Sequence, residues 1–505
     1  VDGSLYTLGK SWIRKSDNGL WEMYVEGSPY DRGVLVGKLA KNLVEHQEDY
    51  FVSQLQEMIP SRTYLDFLRV FVAWFNRNLD GCIDDEFKKE IYGISRSATP
   101  RYDYIGPRYQ RILNYHAAHD IGHALLNMHL VGCTSFSLKG PKTDDGKLLV
   151  GRNFDFYMGD DFSREKIIAF YSPEKGYRFM SVTWGGMTGV VSGMNEKGLA
   201  VSINAAPGSI PGSAQTPISI ITREILQYAG TIDEAVAIAK KRKSFVSESI
   251  MISSAADGKT VIIEKTPDAV EIYDPGTDIV ISTNHFQKMP GRIDEESSVY
   301  RYARVKELLA ARNAFAPAAV ADVLRDQKGL SGKDIGRGNE KAVNQLVAHH
   351  AIIFKPQDLT VWVSSAPWQC GKFYSYDLKK IFAKHSSPVR DEEIYDRNRM
   401  IADDPFVRTK SFSDYNRYRT LRASIQKATR SKGSVEIGEA EMRVFAASNP
   451  ELYLVYQTIG DYYLSRKDYP NARKFYIVAQ SKEIARKAER EKILSSIKKC
   501  DDLMK

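Results

Sequence analysis

The strongest constraint on this chain is an abrupt change of hydrophobic period at Cys133. Before it, Arg32 to Met58, Tyr64 to Phe75 and Tyr109 to Leu130 place apolar residues three and four apart, the spacing of an amphipathic helix. Trp21 to Val25 is the clearest strand-like run in that part. From Cys133 onward the runs are short, alternating or wholly apolar: Cys133 to Leu138, Lys147 to Asn153, Lys166 to Tyr171, Tyr177 to Thr183 and Leu199 to Asn204. Turn signals such as Asp144-Asp145-Gly146 and Glu196-Lys197-Gly198 separate them and predict antiparallel hairpins.

Two helices are predicted next, over Ile218 to Tyr228 and Asp233 to Arg242, the second with Thr231 as its N-cap. Strands return at Ser249 to Ser253, Thr260 to Glu264, Val270 to Tyr273 and Ile279 to Ser282, with Asp257-Gly258 as a hairpin turn. A helix over Val299 to Arg312 and a strand pair, Ala351 to Phe354 and Leu359 to Ser364, follow. Strands, helices, strands and helices in that order predict two sheets layered with helices outside them. Beyond about Asp391 the chain reads as helical and charged. There Tyr456, Ile459, Gly460, Tyr463, Ala472, Tyr476 and Ala479 fall at the spacing of one tetratricopeptide-like helix pair.

Composition narrows the class. With 43% hydrophobic and 27% charged residues over 505 positions, the chain has material for more than one core. The net charge of +8 is spread without a block of like sign, which argues against nucleic-acid binding. Cys82, Cys133, Cys370 and Cys500 lie far apart and show neither CxxC nor zinc-ligand spacing. No apolar run approaches the roughly 18 residues that span a bilayer, so an integral membrane protein is not expected. The chain starts at Val1 rather than Met, which predicts a trimmed N-terminus and export after removal of a signal peptide, with a cytoplasmic location left open.

Gly132-Cys133 sits at the switch itself. A thiol attacks a carbonyl as thiolate, and a free cysteine with a pKa of roughly 8.5 needs a base to take its proton. Breaking the Gly132-Cys133 bond would create that base, because a freed α-amine titrates near roughly 7.7 to 8.0. Glycine before the cysteine allows backbone conformations that the attack on its own carbonyl requires. An N-to-S acyl shift followed by hydrolysis would achieve the cut.

Cys133-Thr134-Ser135, Gly151-Arg152-Asn153-Phe154-Asp155-Phe156, Met194-Asn195-Glu196-Lys197-Gly198-Leu199-Ala200, Ser282-Thr283-Asn284-His285-Phe286 and Tyr300-Arg301-Tyr302 occur in register. Together they resemble the choloylglycine hydrolase superfamily of N-terminal nucleophile (Ntn) hydrolases, in the branch of penicillin acyltransferases and acid ceramidase-like amidases. The resemblance covers roughly Gly27 to Ser365. It implies an α+β fold, a four-layer αββα sandwich of two antiparallel sheets. A helical pro-segment, 1–132, would be cleaved but retained, followed by a catalytic core over 133–390 and a helical extension over 391–505. It also implies roles: Cys133 as nucleophile, Arg152 beside the thiol and lowering its pKa, Asp155 orienting the freed amine, Asn204 and Asn284 as oxyanion donors, and Arg301 as a further arginine near the cysteine, with Arg304 as its substitute. No metal and no cofactor are implied. The 132 residues ahead of Cys133 depart from bile salt hydrolases, which expose their cysteine after little more than the initiator Met.

His116, His119, Asp120 and His123 share one helical face, a metal-like spacing, but a buried or capping role beside the cleavage site is the expectation. The expected activity is cleavage of a linear amide in a small-molecule N-acyl amine, with acyl transfer to a second amine as the alternative. A non-enzymatic protein binding a partner, or a second copy, through its C-terminal helices is the reading from another class. A papain-like pairing of Cys133 with His285 lacks the local signature of that family and leaves Asp155 without a role.

Overall fold

The computed structural model describes residues 5–58, 61, 63, 69–70, 72–74, 76–117, 120, 132–208, 214–290, 296–383, 392–431 and 435–505. Strands β1 (Tyr6–Leu8), β2 (Ser11–Lys15) and β3 (Trp21–Gly27) precede helices α1 (Pro29–Leu39), α2 (Lys41–Met58), α3 (Asp85–Ser95) and α4 (Arg108–His116). After the hairpin β4 (Thr134–Gly140) and β5 (Gly146–Phe154) come α5 (Asp160–Arg164), β6 (Ile167–Pro173), β7 (Phe179–Thr183), β8 (Ser192–Asn195), β9 (Leu199–Ala205), α6 (Ile218–Tyr228) and α7 (Ile232–Lys241). Then follow β10 (Glu248–Ser254), β11 (Lys259–Lys265), β12 (Val270–Tyr273), β13 (Ile279–Ser282), α8 (Glu296–Ala310), α9 (Pro317–Leu324), β14 (His350–Lys355), β15 (Thr360–Ser364), β16 (Phe373–Asp377), α10 (Leu378–Ala383) and β17 (Tyr395–Ile401). Helices α11 (Lys410–Arg430), α12 (Glu439–Ser448), α13 (Tyr453–Ser465), α14 (Tyr469–Gln480) and α15 (Lys487–Leu503) end the chain.

The chain divides into two compact units, one of residues 1–292, 312–324 and 347–402, the other of 293–311, 325–346 and 403–505. The first holds both sheets. Among the described residues one has ten strands in the order β1-β2-β3-β6-β7-β8-β9-β10-β11-β12, the other seven in the order β13-β4-β5-β14-β15-β16-β17. Pairing is antiparallel throughout except for β3 with β6, which run parallel.

Alternation along the strands explains the layers. Ile168 and Phe170 of β6 and Met251 of β10 share one buried cluster with Val150, Ile352, Phe354 and Val361 of the seven-stranded sheet. Their neighbours Ile167, Ala169, Ile250 and Ile252 face the other way, into a cluster with Ile218, Ile221 and Ile225 of α6, Val36 of α1 and Ile91 of α3. Helix α9 covers the far side of the seven-stranded sheet. A Cβ on Gly151 would lie 2.6 Å from Val320 and 2.8 Å from Phe136, so glycine is what lets that helix settle on β5. Helices, sheet, sheet and helix give the expected αββα order.

Several elements differ from the sequence reading. The single helix expected over Arg32 to Met58 is two, broken at Ala40, which leaves helical geometry at φ −99° and ψ 23°. The N-terminal part contributes three strands, not one. Their signal is blurred by buried charge: Arg14 on β2 and Glu22 on β3 are paired at 2.8 Å inside the sheet, where a sequence reader expects apolar residues. The stretch read as helical from Asp391 opens with strand β17, which pairs with β16. Its Asp396, Arg397 and Arg399 make it look like a charged helix, although charge is what an edge strand carries to avoid further pairing. The helices expected over Tyr64 to Phe75 and beyond Ala117 lie mostly outside the described residues.

In the second unit the tetratricopeptide-like pair is α13 and α14. Gly460 admits the Tyr476 ring, which a Cβ would meet at 2.7 Å, and Tyr463 stacks on Phe475 with centroids 5.7 Å apart. Ile459, Ala472, Tyr476 and Ala479 are buried. The 325–346 segment belongs to the same unit: Asn339 donates to the Glu483 carbonyl at 2.8 Å, and Lys341 pairs with the Glu483 carboxylate at 2.8 Å. Among the described residues no helix is long and apolar enough to cross a membrane.

Candidate active site

The β4–β5 register builds the site. Thr134 pairs with Asn153 and Ser135 with Arg152, and the same register continues past the strand end, where the Gly132 N–H donates to the Asp155 carbonyl at 3.1 Å. Gly132 and Asp155 are therefore opposite one another, with Cys133 beside Phe154. Period-two alternation then puts Cys133 on the face of β4 that carries Ser135 and Ser137. That face points at the ten-stranded sheet: Ser135 Oγ donates to Asn204 Oδ1 at 3.0 Å, and Ser137 Oγ lies 2.7 Å from Thr260 Oγ1.

Arg152 shares the inward face of β5. Its Nη2 is 3.8 Å from Cys133 Sγ, and its other donors reach the Val191 carbonyl, Ser192 Oγ and the Ile203 carbonyl. Asn204, on β9, spans to the seven-stranded sheet, donating from Nδ2 to the Ser282 carbonyl at 2.9 Å and to Ser282 Oγ at 3.2 Å. Asn284 follows β13 and donates from Nδ2 to the Ala205 carbonyl at 2.9 Å. One connected cluster thus contains Cys133, Arg152, Asp155, Asn204 and Asn284, all buried. In this unbroken chain the amide donors of Asn204 are turned to Ser282.

Arg301 lies in the second unit, buried, donating to the Glu340 carbonyl at 2.7 Å. Arg304, its sequence-level substitute, is committed there as well: Nε and Nη2 each reach the Asp326 carboxylate at 2.9 Å.

Burial dominates the electrostatics of the Cys133 thiol. Burial pushes the Cys133 thiol up to about 11; the guanidinium of Arg152 opposes that shift, while the charges of Asp155 and Glu248 add to it. The sequence reading expected Arg152 to lower the thiol pKa. It does act in that direction, but desolvation is the larger effect. Burial also lowers Arg152 from its ordinary value, offset in part by Cys133, Glu248 and Asp155. Glu248, buried on β10 opposite Ala205, was not singled out from the sequence; a lone carboxylate inside a strand carries no motif. Ser192, His349 and His350 were missed for the same reason. The one available signal was their polarity inside runs that ought to be apolar.

His116 and Asp120 take the buried and capping roles expected of that helical face. His116 is buried, donating from Nδ1 to the Ile112 carbonyl at 2.8 Å and accepting the Thr188 N–H on Nε2 at 3.0 Å, and burial lowers its pKa to about 4. Asp120 accepts the Ile218 N–H at 2.9 Å, capping α6 from a distance. His119 and His123 lie outside the described residues. Among the described residues no three His, Cys, Asp or Glu side chains are grouped to hold a metal ion.

Comparison with known proteins now bears on this geometry. Residues 141–367 match the acyl-coenzyme A:6-aminopenicillanic acid acyl-transferase family, a stretch that begins just after Cys133 and takes in Arg152, Asp155, Asn204, Asn284 and Arg301. An uncharacterized protein of Archaeoglobus fulgidus is 27% identical over 254 residues, 46% of this chain and 41% of that one. The N-acylethanolamine-hydrolyzing acid amidase of Caenorhabditis elegans is 24% identical over 217 residues, 41% of this chain and 58% of that one. The chain thus spans about half the length of these relatives. Among solved structures, the conjugated bile acid hydrolase of Clostridium perfringens aligns at 14% identity and a TM-score of 0.35, over 52% of this chain and 95% of that one. The αββα core resembles that of the Ntn hydrolases. Within that class the resemblance is to the choloylglycine hydrolase-like branch that includes the penicillin acyltransferases.

Proposed function

We propose that the chain is a self-processing N-terminal cysteine amidohydrolase that cleaves the linear amide of an N-acyl amine. The observation that carries the reading is the register-fixed placement of the Gly132-Cys133 bond opposite Asp155, with Arg152 Nη2 3.8 Å from the thiol. In the first step Cys133 Sγ attacks the Gly132 carbonyl carbon, and the acyl group passes from nitrogen to sulfur. Water then hydrolyses the thioester, leaving a Gly132 carboxylate, a free thiol and a Cys133 α-amine. In turnover that amine takes the thiol proton, the thiolate attacks the substrate carbonyl, and the amine product departs with the proton carried by the Cys133 ammonium. Water attacking the thioester releases the acid and restores the thiol.

The relative that hydrolyses N-acylethanolamines supports an N-acyl amine as substrate, and the matched acyl-transferase family supports a second reading, in which another amine replaces water at the thioester. Mass spectrometry of the purified protein should find a chain beginning at Cys133. Release of free amine from N-acylethanolamines, with and without an added acceptor amine, separates hydrolysis from transfer. Cys133→Ala should remain uncut and inactive. An active enzyme whose Cys133 stays internal, or a Cys133→Ala protein that turns over, would end the proposal.

A further inference from the structure

Beyond Arg152 lies a buried string of polar side chains that the catalytic steps above leave unused. Ser192 Oγ accepts from Arg152 Nη1 and lies 2.8 Å from His350 Nε2; His350 Nδ1 is 2.8 Å from His349 Nδ1. All four side chains are buried. A guanidinium only donates, so the Ser192 oxygen accepts from Arg152, and its second lone pair or its own proton meets His350 Nε2. One hydrogen is shared between the two imidazole Nδ1 atoms.

This string requires neutral imidazoles, and its surroundings supply that condition. Phe154, Phe162 and Trp184 pack around the rings, with Phe162 4.5 Å from His349 between centroids. Burial, joined by the Arg152 charge, holds both imidazoles well below their usual pKa; Lys166, on the approach to β6, donates to the Ser364 carbonyl at 3.0 Å, and burial lowers its own pKa to about 7.

We propose that Ser192 and His350 are positioning residues: the Oγ–Nε2 link, backed by His349, fixes the Arg152 guanidinium against the Cys133 thiol. The inference rests on the reading of Cys133 as nucleophile. A guanidinium held at the thiol stabilises thiolate, whereas one free to turn toward other acceptors does so less.

Ser192→Ala and His350→Phe break the link at either side, while His350→Gln keeps an amide that can accept from or donate to Ser192 Oγ. The readouts are kcat, KM and the pH midpoint for iodoacetamide alkylation of Cys133 in the cut enzyme; for a variant that cuts slowly, the pH profile of cutting replaces them. Ser192→Ala and His350→Phe should raise the midpoint by about one unit and lower kcat about tenfold, with KM within about twofold. His350→Gln should return both toward the parent. A Ser192→Ala enzyme with parental midpoint and kcat overturns the proposal, as does a His350→Gln enzyme no better than His350→Phe. Loss of folding in all three variants would assign the string to stability and also overturn it. Cys133→Ala run alongside separates the two readings: turnover that survives in it removes the nucleophile, whereas an inert Cys133→Ala beside an unchanged Ser192→Ala removes only the string.

Discussion

Asp155 does two separable things. Its backbone carbonyl holds Gly132 by a hydrogen bond that any residue could make, and its carboxylate sets a negative charge near the cysteine. That charge raises the thiol pKa, so its removal on thiol chemistry alone would quicken attack. If the carboxylate instead anchors the Cys133 ammonium that forms during turnover, its removal slows the enzyme. Asp155→Asn is nearly isosteric and keeps the backbone bond, so the sign of the change decides between the two effects. We expect a drop in kcat of about a hundredfold or more, read in steady-state assays of the cut protein; a faster Asp155→Asn enzyme would remove the amine-anchoring role. At this scale the sequence singled out Cys133, Arg152 and Asp155 through short runs that resemble one family, and the structure places all three in one buried cluster. Glu248 and the His349–His350 pair were not singled out, since a polar residue in a strand has no local pattern and acquires its meaning only from the sheet across from it. Arg301 was read as a site residue from the family resemblance, and within its own unit it donates to the Glu340 carbonyl.

Among elements, the β4–β5 hairpin is the frame on which the site depends, and it is held from both sides. Its inward face is tied to β9 through Ser135 and Asn204, and its outward face meets α9 over Gly151, with Asn153 Nδ2 donating to the Leu324 carbonyl at 2.8 Å at the end of that helix. Gly151→Ala inserts a methyl where Val320 and Phe136 already stand. The neighbours are side chains rather than backbone, so they should shift and not break the fold, at about 1 to 3 kcal/mol. A lowered denaturant midpoint together with slower cutting at Gly132 is the expected result; parental stability would mean that α9 moves freely on the sheet. The central strands of both sheets were readable because their runs are apolar on each face. The outlying ones were not: β2 and β3 carry a buried ion pair, and β17 carries edge charge. In each case burial or pairing across the sheet outweighs the local pattern that sequence reading relies on.

At the scale of the whole molecule, the second unit is not a tail appended to the enzyme but draws on three stretches of chain. Residues 293–311 and 325–346 interrupt the sequence of the first unit and fold together with 403–505. Gly336 shows how close that association is: a Cβ there would lie 2.4 Å from the backbone nitrogen of Leu452. Arg337 and Asn449 exchange two hydrogen bonds, N–H to Oδ1 at 3.0 Å and Nδ2 to carbonyl at 2.9 Å. Arg486 pairs with Glu340. Hydrophobic periodicity revealed α13 and α14 as a helix pair, but it gave no hint that their unit begins more than a hundred residues upstream, because such packing joins segments whose own patterns are complete. A chain ended near Asp391 would therefore leave α8 and the 325–346 segment without the helices that bury them. Such surfaces drive aggregation, so the truncated protein should be recovered largely in the insoluble fraction or elute as high-mass species by size exclusion. Should it instead be soluble and monomeric, cut at Gly132 and melt at the parental temperature, the 403–505 helices would be dispensable to the packing of 293–311 and 325–346, and the second unit would have to be redrawn.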